Sequence, residues 1–201
     1  MSKYTFTIFF LFFFSYTHTQ TNWDLRKEKD NIKIFTAKIE GSNFKAFKGE
    51  TTVEASKEEI ITILKDPEET VNWMPKTAEA QLIQQDEKGH IAYFVNNAPW
   101  PVKDRDGVYQ FKYINQSDGS FLLDIQALPD YWPSKKNKVR IEKSSSSWQV
   151  IPIDNQKVKV IYQAHAEPGG NIPDWLANSS AVSLPFDSLV GLKEEVLRRR
   201  D

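Results

Sequence analysis

Hydrophobic and polar residues alternate through most of the chain between residues 32 and 166, which is typical of β-strands with one buried face. Tyr109, Phe111 and Tyr113 share one face of such a segment, whereas Gln110 and Lys112 share the other. This pattern predicts antiparallel strands with one solvated face, and the first two strands predict a hairpin. The predicted strands cover residues 32–39, 44–53, 78–85, 91–96, 107–114, 121–128, 139–143, 148–153 and 158–166.

Three shorter segments interrupt this pattern. Residues 23–30 are rich in charge and favour a short helix. Ser56 and Glu59 have the spacing of a capping box, which predicts a helix that ends before Asp66 and Pro67. The serine run at residues 144–147 is interpreted as a turn.

Apolar residues recur at helical spacing near the C-terminus and predict a long amphipathic helix over residues 173–197, kinked or broken at Pro185. A large antiparallel sheet and a single long apolar helix bury their surfaces best when one wraps around the other. The periodicity does not tell whether the space between them is filled or hollow.

The N-terminal residues 1–19 resemble a secretory signal peptide. Lys3 precedes an apolar run at residues 6–14, which is about half of the ~20 residues that span a bilayer. Thr17 and Thr19 provide small residues for cleavage before Gln20. An uncleaved membrane anchor is the alternative, and residues 20–201 are predicted to form one domain.

Composition excludes several classes of function. The chain has no cysteine, which removes disulfide scaffolds, thiolate metal sites and thiol nucleophiles. Its 26 Lys+Arg residues against 27 Asp+Glu argue against a nucleic-acid partner. The basic residues 198–200 are interpreted as a solvated helix end.

Candidate catalytic chemistry is sparse, and we expect no catalytic residue, metal or cofactor. His90 and His165 lie on different predicted strands, and His165 is expected to be structural and solvent-facing. Arg105, between two aspartates, is interpreted as part of an ion pair that fixes a strand end. Asp124 is expected on the solvated face of its strand.

Four tryptophans suit a domain that lines an apolar cavity, although tryptophan more often packs in a core. They are Trp100, Trp132, Trp148 and Trp175. The loop at residues 129–133 fits a cavity rim, a membrane-touching tip or a packed loop equally well.

Two motifs resemble the START (StAR-related lipid transfer) family in its bacterial form. Residues 98–109 read APWPVKDRDGVY, which is similar to the family's Pro/Trp turn followed by Arg-Asp and a strand. Residues 167–178 read EPGGNIPDWLAN, which is similar to the acidic-Pro-Gly-Gly turn that leads into the C-terminal helix. Arg140, Trp148 and Pro152 fit the same pattern, and the resemblance extends from about residue 23 to residue 197.

The resemblance implies an α+β helix-grip fold, in which a curved antiparallel sheet wraps around the long C-terminal helix and encloses an apolar tunnel. It also implies that the helix and the loop at residues 129–133 act as a lid. Small residues at Ser179, Ser180 and Ser183 would leave room for a ligand. The ligand-binding residues are then expected to be Trp100, Arg105, Tyr109, Phe111, Tyr113, Trp132, Val160, Tyr162, Trp175, Leu176 and Ser180.

The expected function is that of an exported lipid-binding, lipid-transfer or sensing protein that holds one apolar ligand. The partners expected are that ligand and, transiently, a membrane, and the protein is expected to be a monomer. A cyclase-like or hydrolase-like enzyme is the alternative, and it requires Arg105, Asp106, Asp124 and His165 to point into the cavity. An interaction protein with a collapsed tunnel is a third possibility.

Overall fold

The computed structural model describes residues 21–201, so the predicted signal peptide lies outside the described residues. The strands are β1 (Asp24–Lys29), β2 (Ile32–Ala37), β3 (Ala46–Val53), β4 (Thr77–Asp86), β5 (Gly89–Asn96), β6 (Arg105–Asn115), β7 (Phe121–Ala127), β8 (Val139–Arg140), β9 (Lys143–Asp154) and β10 (Lys157–Glu167). The helices are α1 (Lys57–Leu64), α2 (Thr70–Trp73) and α3 (Asp174–Arg198).

The strands form one large sheet in the order β1-β2-β3-β10-β9-β7-β6-β5-β4, with neighbouring strands antiparallel. The short strand β8 pairs with β6 in parallel. The predicted hairpin is confirmed, because β2 pairs along its whole length with residues 46–51 of β3. The long helix α3 packs against the inner face of this sheet, which confirms the predicted α+β helix-grip class.

The predicted helix at residues 23–30 is wrong, because this segment forms β1 at the edge of the sheet. Its backbone pairs with β2 through a tight turn in which Asp30 and Asn31 have φ values of 54° and 60°. Asp and Asn tolerate these left-handed conformations, which suit a two-residue hairpin turn. Pairing with β2 therefore outweighs the local preference of the charged residues.

The serine run at residues 144–147 is a strand and not the predicted turn. Hydrogen bonds to both β7 and β10 hold it extended. The predicted strand at residues 139–143 is also divided, because β8 ends at Arg140 and β9 begins at Lys143.

The helices predicted from local signals agree better with the structure. The Ser56 hydroxyl accepts a hydrogen bond from the Glu59 backbone N–H at 3.2 Å, and the Glu59 carboxylate accepts one from the Ser56 N–H at 2.8 Å, which confirms the capping box. The helix α3 continues through Pro185 and is not broken there. No helix within residues 21–201 has the length and apolar character to cross a membrane.

The sheet has an open end and a closed end, and α3 runs from the open end to the closed end. The open end is where β3, β4, β6 and β9 begin and where β5 and β10 finish. The closed end is covered by α1 and by the C-terminal half of α3. The main core lies between the inner face of the sheet and these helices, and a small second core of Tyr93, Val95 and Val108 lies on the outer face.

Candidate functional site

An internal cavity of about 370 Å³ lies between the inner face of the sheet and the N-terminal half of α3. It falls near the lower limit of typical ligand sites, which measure about 300–1,000 Å³. Loops at the open end form its rim, with Phe44 and Lys45 before β3, Pro75 and Lys76 before β4, Asn97, Ala98 and Pro99 after β5, and Pro168 and Ile172 before α3.

Packed aromatic rings form one wall of the cavity. Trp148 and Tyr162 are paired in register on β9 and β10, and their rings stack with centroids 4.0 Å apart. Phe47 meets the Tyr162 ring edge-on at 5.0 Å, and Trp73 meets the Trp148 ring edge-on at 5.8 Å. Such a wall favours an apolar ligand by about 0.8 kcal/mol per buried CH₂ group.

The neighbouring wall is also aromatic and comes from β5 and β6. Phe94 packs beside Tyr109 and Phe111, with ring centroids 6.1 Å and 5.9 Å away. The Tyr109 ring folds over Gly107, where a Cβ atom would come within 2.5 Å of the ring carbons. Burial raises the pKa of the Tyr109 phenol, so this group stays neutral at physiological pH.

Small side chains provide the free space between these walls and α3. Neighbouring positions on β9 and β10 carry only serine and alanine on their inner face, and the helix opposite carries a similar set. Since short side chains fill little volume, the sheet and the helix leave a gap at this level. The residues concerned are Ser144, Ser146, Ala164 and Ala166 on the strands and Ala177, Ser180 and Ala181 on α3.

Arg105 is a buried cation in the cavity lining, with 6% of its surface exposed. Its guanidinium donates to the backbone carbonyls of Pro168 at 3.2 Å and Gly169 at 3.1 Å, and also to that of Lys103. Burial lowers the pKa of Arg105 from its usual value, and the nearby Asp104 carboxylate opposes this effect. Arg105 thus joins the start of β6 to the turn that precedes α3.

A sequence model of the START domain matches residues 12–192 of the chain. The chain belongs to the START domain family. An uncharacterized protein of Pseudomonas aeruginosa is 33% identical over 178 residues, which cover 89% of this START domain protein and 88% of the relative. The mouse phosphatidylcholine transfer protein is 23% identical over 168 residues, covering 81% and 78% of the two chains.

Solved structures agree with this assignment. The STAR-related lipid transfer protein of Xanthomonas axonopodis superposes with a TM-score of 0.83 at 39% identity, covering 87% of this START domain protein and 98% of that chain. The fold also resembles an aromatase/cyclase from a Streptomyces species, with a TM-score of 0.55 at 12% identity and coverage of 78% and 95%. Lipid transfer proteins and an enzyme therefore share the architecture.

The structure brings six of the eleven predicted ligand-binding residues together in the cavity lining of the START domain. They are Arg105, Tyr109, Phe111, Tyr162, Leu176 and Ser180. Their role in binding stays a prediction.

The other five lie outside the lining. Val160 is fully buried in the core nearer the closed end, where the helix covers the same face of β10. Tyr113 also lies towards the closed end, where its hydroxyl contacts His90 Nδ1 at 2.6 Å. Trp100 and Trp175 extend from the open end with 92% and 72% of their surfaces exposed. Trp132 belongs to the loop that covers the outer face.

That loop is held on the outer face by Asp106, whose carboxylate receives two hydrogen bonds from Arg140 and one from the Lys135 backbone N–H. Burial is the largest influence on the pKa of Asp106 and would raise it, but the hydrogen bonds and charge of Arg140, together with the hydrogen bonds from Lys135 and Tyr93, lower it overall. The predicted ion pair of Arg105 is therefore wrong, because Asp106 pairs with Arg140 and Asp104 pairs with Lys138. Residues 129–133 do not line the cavity.

The residues required by the enzyme alternative do not converge. Of Arg105, Asp106, Asp124 and His165, only Arg105 lines the cavity. Asp124 accepts a hydrogen bond from Gln126, and a hydrogen bond of 3.1 Å joins His165 Nε2 to the Ser42 hydroxyl. Within residues 21–201, no aspartate, glutamate or histidine lines the cavity.

Several lining residues are absent from the eleven predicted ligand-binding residues, although Trp148 was among the four tryptophans that suit an apolar cavity. Phe94 and Trp148 fall on the inner faces of predicted strands, so alternation could have identified them. Trp73 lies in the short helix α2, for which the sequence shows no clear signal. Lys45 and Lys76 lie in loops, where periodicity gives no information about direction.

Proposed function

We propose that this START domain holds one apolar or amphipathic molecule, such as a lipid, and carries or senses it without changing it chemically. The observation that carries the proposal is the cavity of about 370 Å³ between an aromatic sheet face and the N-terminal half of α3. Acid–base catalysis most often uses a carboxylate or an imidazole that reaches the ligand, and the lining has neither group within the described residues.

Native mass spectrometry of the protein purified from its own host tests the proposal directly. We expect a stoichiometric apolar adduct, which organic extraction then identifies. The same spectrum reports the oligomeric state, which we propose to be a monomer. A ligand-free mass, under conditions that preserve a known lipid complex, would contradict a stable carrier.

A pair of substitutions on α3 locates the ligand. Ser180 lines the cavity, whereas Ser183 lies exposed on the same helix and outside the lining. Ser180→Trp is expected to fill the space and abolish uptake of a fluorescent fatty acid, while Ser183→Trp retains it. Circular dichroism verifies that both variants fold, and equal uptake by the two would place the ligand elsewhere.

We further propose that ligand exchange occurs at a membrane surface that the open end contacts. Trp100 and Trp175 are the most exposed large hydrophobic side chains of the described residues, and both neighbour cavity-lining residues at the rim. Tryptophan favours the interface between lipid and water. Trp100→Ala and Trp175→Ala should each weaken binding to lipid vesicles, whereas Trp132→Ala, on the outer face, should not. Equal losses at all three positions would contradict the proposed orientation.

Export of the protein is proposed from residues 1–19, where Lys3 precedes an apolar run. The mass of the protein in its host's exported fraction should correspond to a chain that begins near Gln20. Recovery of the full-length chain from the cytoplasm alone would overturn this proposal.

A further inference from the structure

The charged residues of the cavity are all of one sign. Lys45, Lys76 and Arg105 belong to the lining, and within residues 21–201 no acidic side chain does. The whole chain is nearly neutral, with 26 Lys+Arg against 27 Asp+Glu, so the positive charge of the cavity lining is a local feature.

These three cations lie in or next to loops at the open end, and hydrogen bonds hold those loops in place. The Asn97 backbone N–H donates to the Lys76 carbonyl at 2.8 Å, which connects the loop before β4 to the loop that leads to Arg105. On the opposite side of the rim, the Lys45 backbone N–H donates to the Asn178 side chain of α3 at 2.9 Å. The cations of the lining therefore come from three different segments of the chain.

Direct ion pairs do not compensate these three charges within the described residues. Among the described residues, no carboxylate lies within ion-pair distance of Lys45, Lys76 or Arg105. Asp104 is adjacent to Arg105, but its carboxylate accepts hydrogen bonds from Lys138 Nζ at 2.8 Å and from the Ala98 N–H at 3.0 Å.

The Arg105 guanidinium also retains donors for a ligand. Three of its hydrogen bonds go to backbone carbonyls, and arginine has about five N–H donors. Carbonyl dipoles solvate the cation without cancelling its charge. A buried cation without a carboxylate partner favours an anionic ligand group, because a charge-assisted hydrogen bond is stronger than a neutral one.

From this arrangement we infer that the preferred ligand is a single-chain amphiphile with an anionic head, either a carboxylate or a phosphate. Its chain lies among the aromatic walls, and its head lies at the rim between Lys45, Lys76 and Arg105. A cavity volume of about 370 Å³ suits a ligand with one acyl chain, because it is near the lower limit of the volumes of ligand sites in proteins. This inference rests on the proposed function and adds the class of ligand.

Calorimetric titration with four ligands of equal chain length tests the inference. Dodecanoate and dodecyl phosphate carry an anionic head, whereas dodecanol and dodecylphosphocholine carry no net charge. We expect at least one anionic ligand to bind about ten-fold more tightly than both uncharged ones, and added salt to reduce the difference. The stronger of the two anions distinguishes a carboxylate site from a phosphate site.

Three lysine variants test whether the lysines of the rim cause the preference for anionic over uncharged ligands. Lys45→Gln and Lys76→Gln should each reduce it about five-fold. Lys38→Gln is the matched control, since Lys38 is an exposed lysine between β2 and β3 and does not line the cavity. An equal loss in the Lys38 variant would overturn the inference, because it would indicate general charge attraction.

The outcomes separate this inference from the proposed function. Equal binding of all four ligands overturns the charge preference and leaves the apolar cavity as a binding site. Binding of none of them, together with a ligand-free native mass, overturns both. Stoichiometric loading of didodecanoyl phosphatidate from vesicles would show that two chains fit and would overturn the single-chain assignment.

Discussion

The two halves of α3 perform different tasks in the same helix. The C-terminal half, at the closed end, buries Phe186, Leu189, Leu192 and Val196 in the main core. The N-terminal half, at the open end, contributes small residues to a cavity and leaves Trp175 exposed. The difference shows how a START domain can keep a stable fold while one wall of its cavity is weakly packed, because the anchoring contacts are concentrated elsewhere along the helix.

Electrostatic contacts strengthen the closed end. The buried Glu195 carboxylate pairs with Arg198 at 2.7 Å and with Arg199 at 2.6 Å. Hydrogen bonds from Arg198 lower the pKa of Glu195, although burial opposes this. The predicted solvated helix end at residues 198–200 thus carries ion pairs, including one from Arg200 to Glu59 at 2.9 Å.

The largest effect is expected from Gly191→Ala at the closed end. A Cβ atom at Gly191 would lie 2.0 Å from the Trp73 carbonyl oxygen, and backbone atoms cannot move aside as a flexible side chain can. We expect a loss of about 4 kcal/mol or more in the free energy of unfolding, measured by denaturant titration. Ser179→Ala on the exposed face of the N-terminal half should change it by less than about 0.5 kcal/mol. A loss below 1 kcal/mol for Gly191→Ala would show that the closed end is not rigid.

A matched pair of leucine substitutions compares the two halves directly. Leu189 is fully buried, so Leu189→Ala should cost about 3 kcal/mol of unfolding free energy. Leu176 already borders empty space, and Leu176→Ala should cost about 1 kcal/mol or less because fewer packing contacts are lost. Similar losses at both positions would remove the distinction between the halves.

A smaller, pH-dependent effect should come from His90, which lies at the start of β5 towards the closed end. Its ring stacks on Phe111 at 4.1 Å, and burial lowers the pKa of His90 to about 4. The unfolded chain binds a proton near pH 6.5, so the free energy of unfolding should fall as the pH drops from about 6.5 to about 4.

His90→Phe should weaken this pH dependence. Between about pH 4 and about pH 6.5, the slope of the free energy of unfolding against pH should decrease by up to about 1.4 kcal/mol per pH unit. His165→Gln is the control, because His165 lies near the open end and outside the cavity lining. If the slope of His90→Phe matches that of the unmodified protein, folding does not lower the pKa of His90.

A modest effect on stability is expected at the open end from Asn178→Ala. The Asn178 amide bridges α3 to the loop before β3, accepting from the Lys45 N–H at 2.9 Å and donating to the Asn43 carbonyl at 3.2 Å. Its loss should cost about 1 kcal/mol and speed hydrogen exchange at the Lys45 amide. Unchanged exchange at Lys45 would mean that this bridge does not hold the rim.

Local signals predicted much of the fold. Alternation in β6 and β10 identified the inner face, and the capping box at Ser56 located the start of α1. Local signals failed where tertiary pairing decides, as in β1, whose charged residues become an edge strand through contact with β2. They also failed at residues 144–147, where polar side chains are accommodated beside a cavity.

The residues of the cavity lining were harder to predict than the fold. Alternation tells on which face of a strand a residue lies, but not whether its position along the strand is beside the cavity. Val160, Tyr162 and Ala164 share the inner face of β10, yet only Tyr162 and Ala164 line the cavity. Trp100 and Trp175 were predicted to line the cavity because they are apolar, but both are exposed. An apolar side chain can lie on an outer surface as well as in a cavity.

The empty space in the fold also affects the fate of the protein in the cell. Any molecule that fills the cavity adds favourable contacts to the folded chain alone, so it lowers the fraction of unfolded chains available to proteases. Chains without ligand would be degraded first. The amount of intact protein would then follow the supply of ligand.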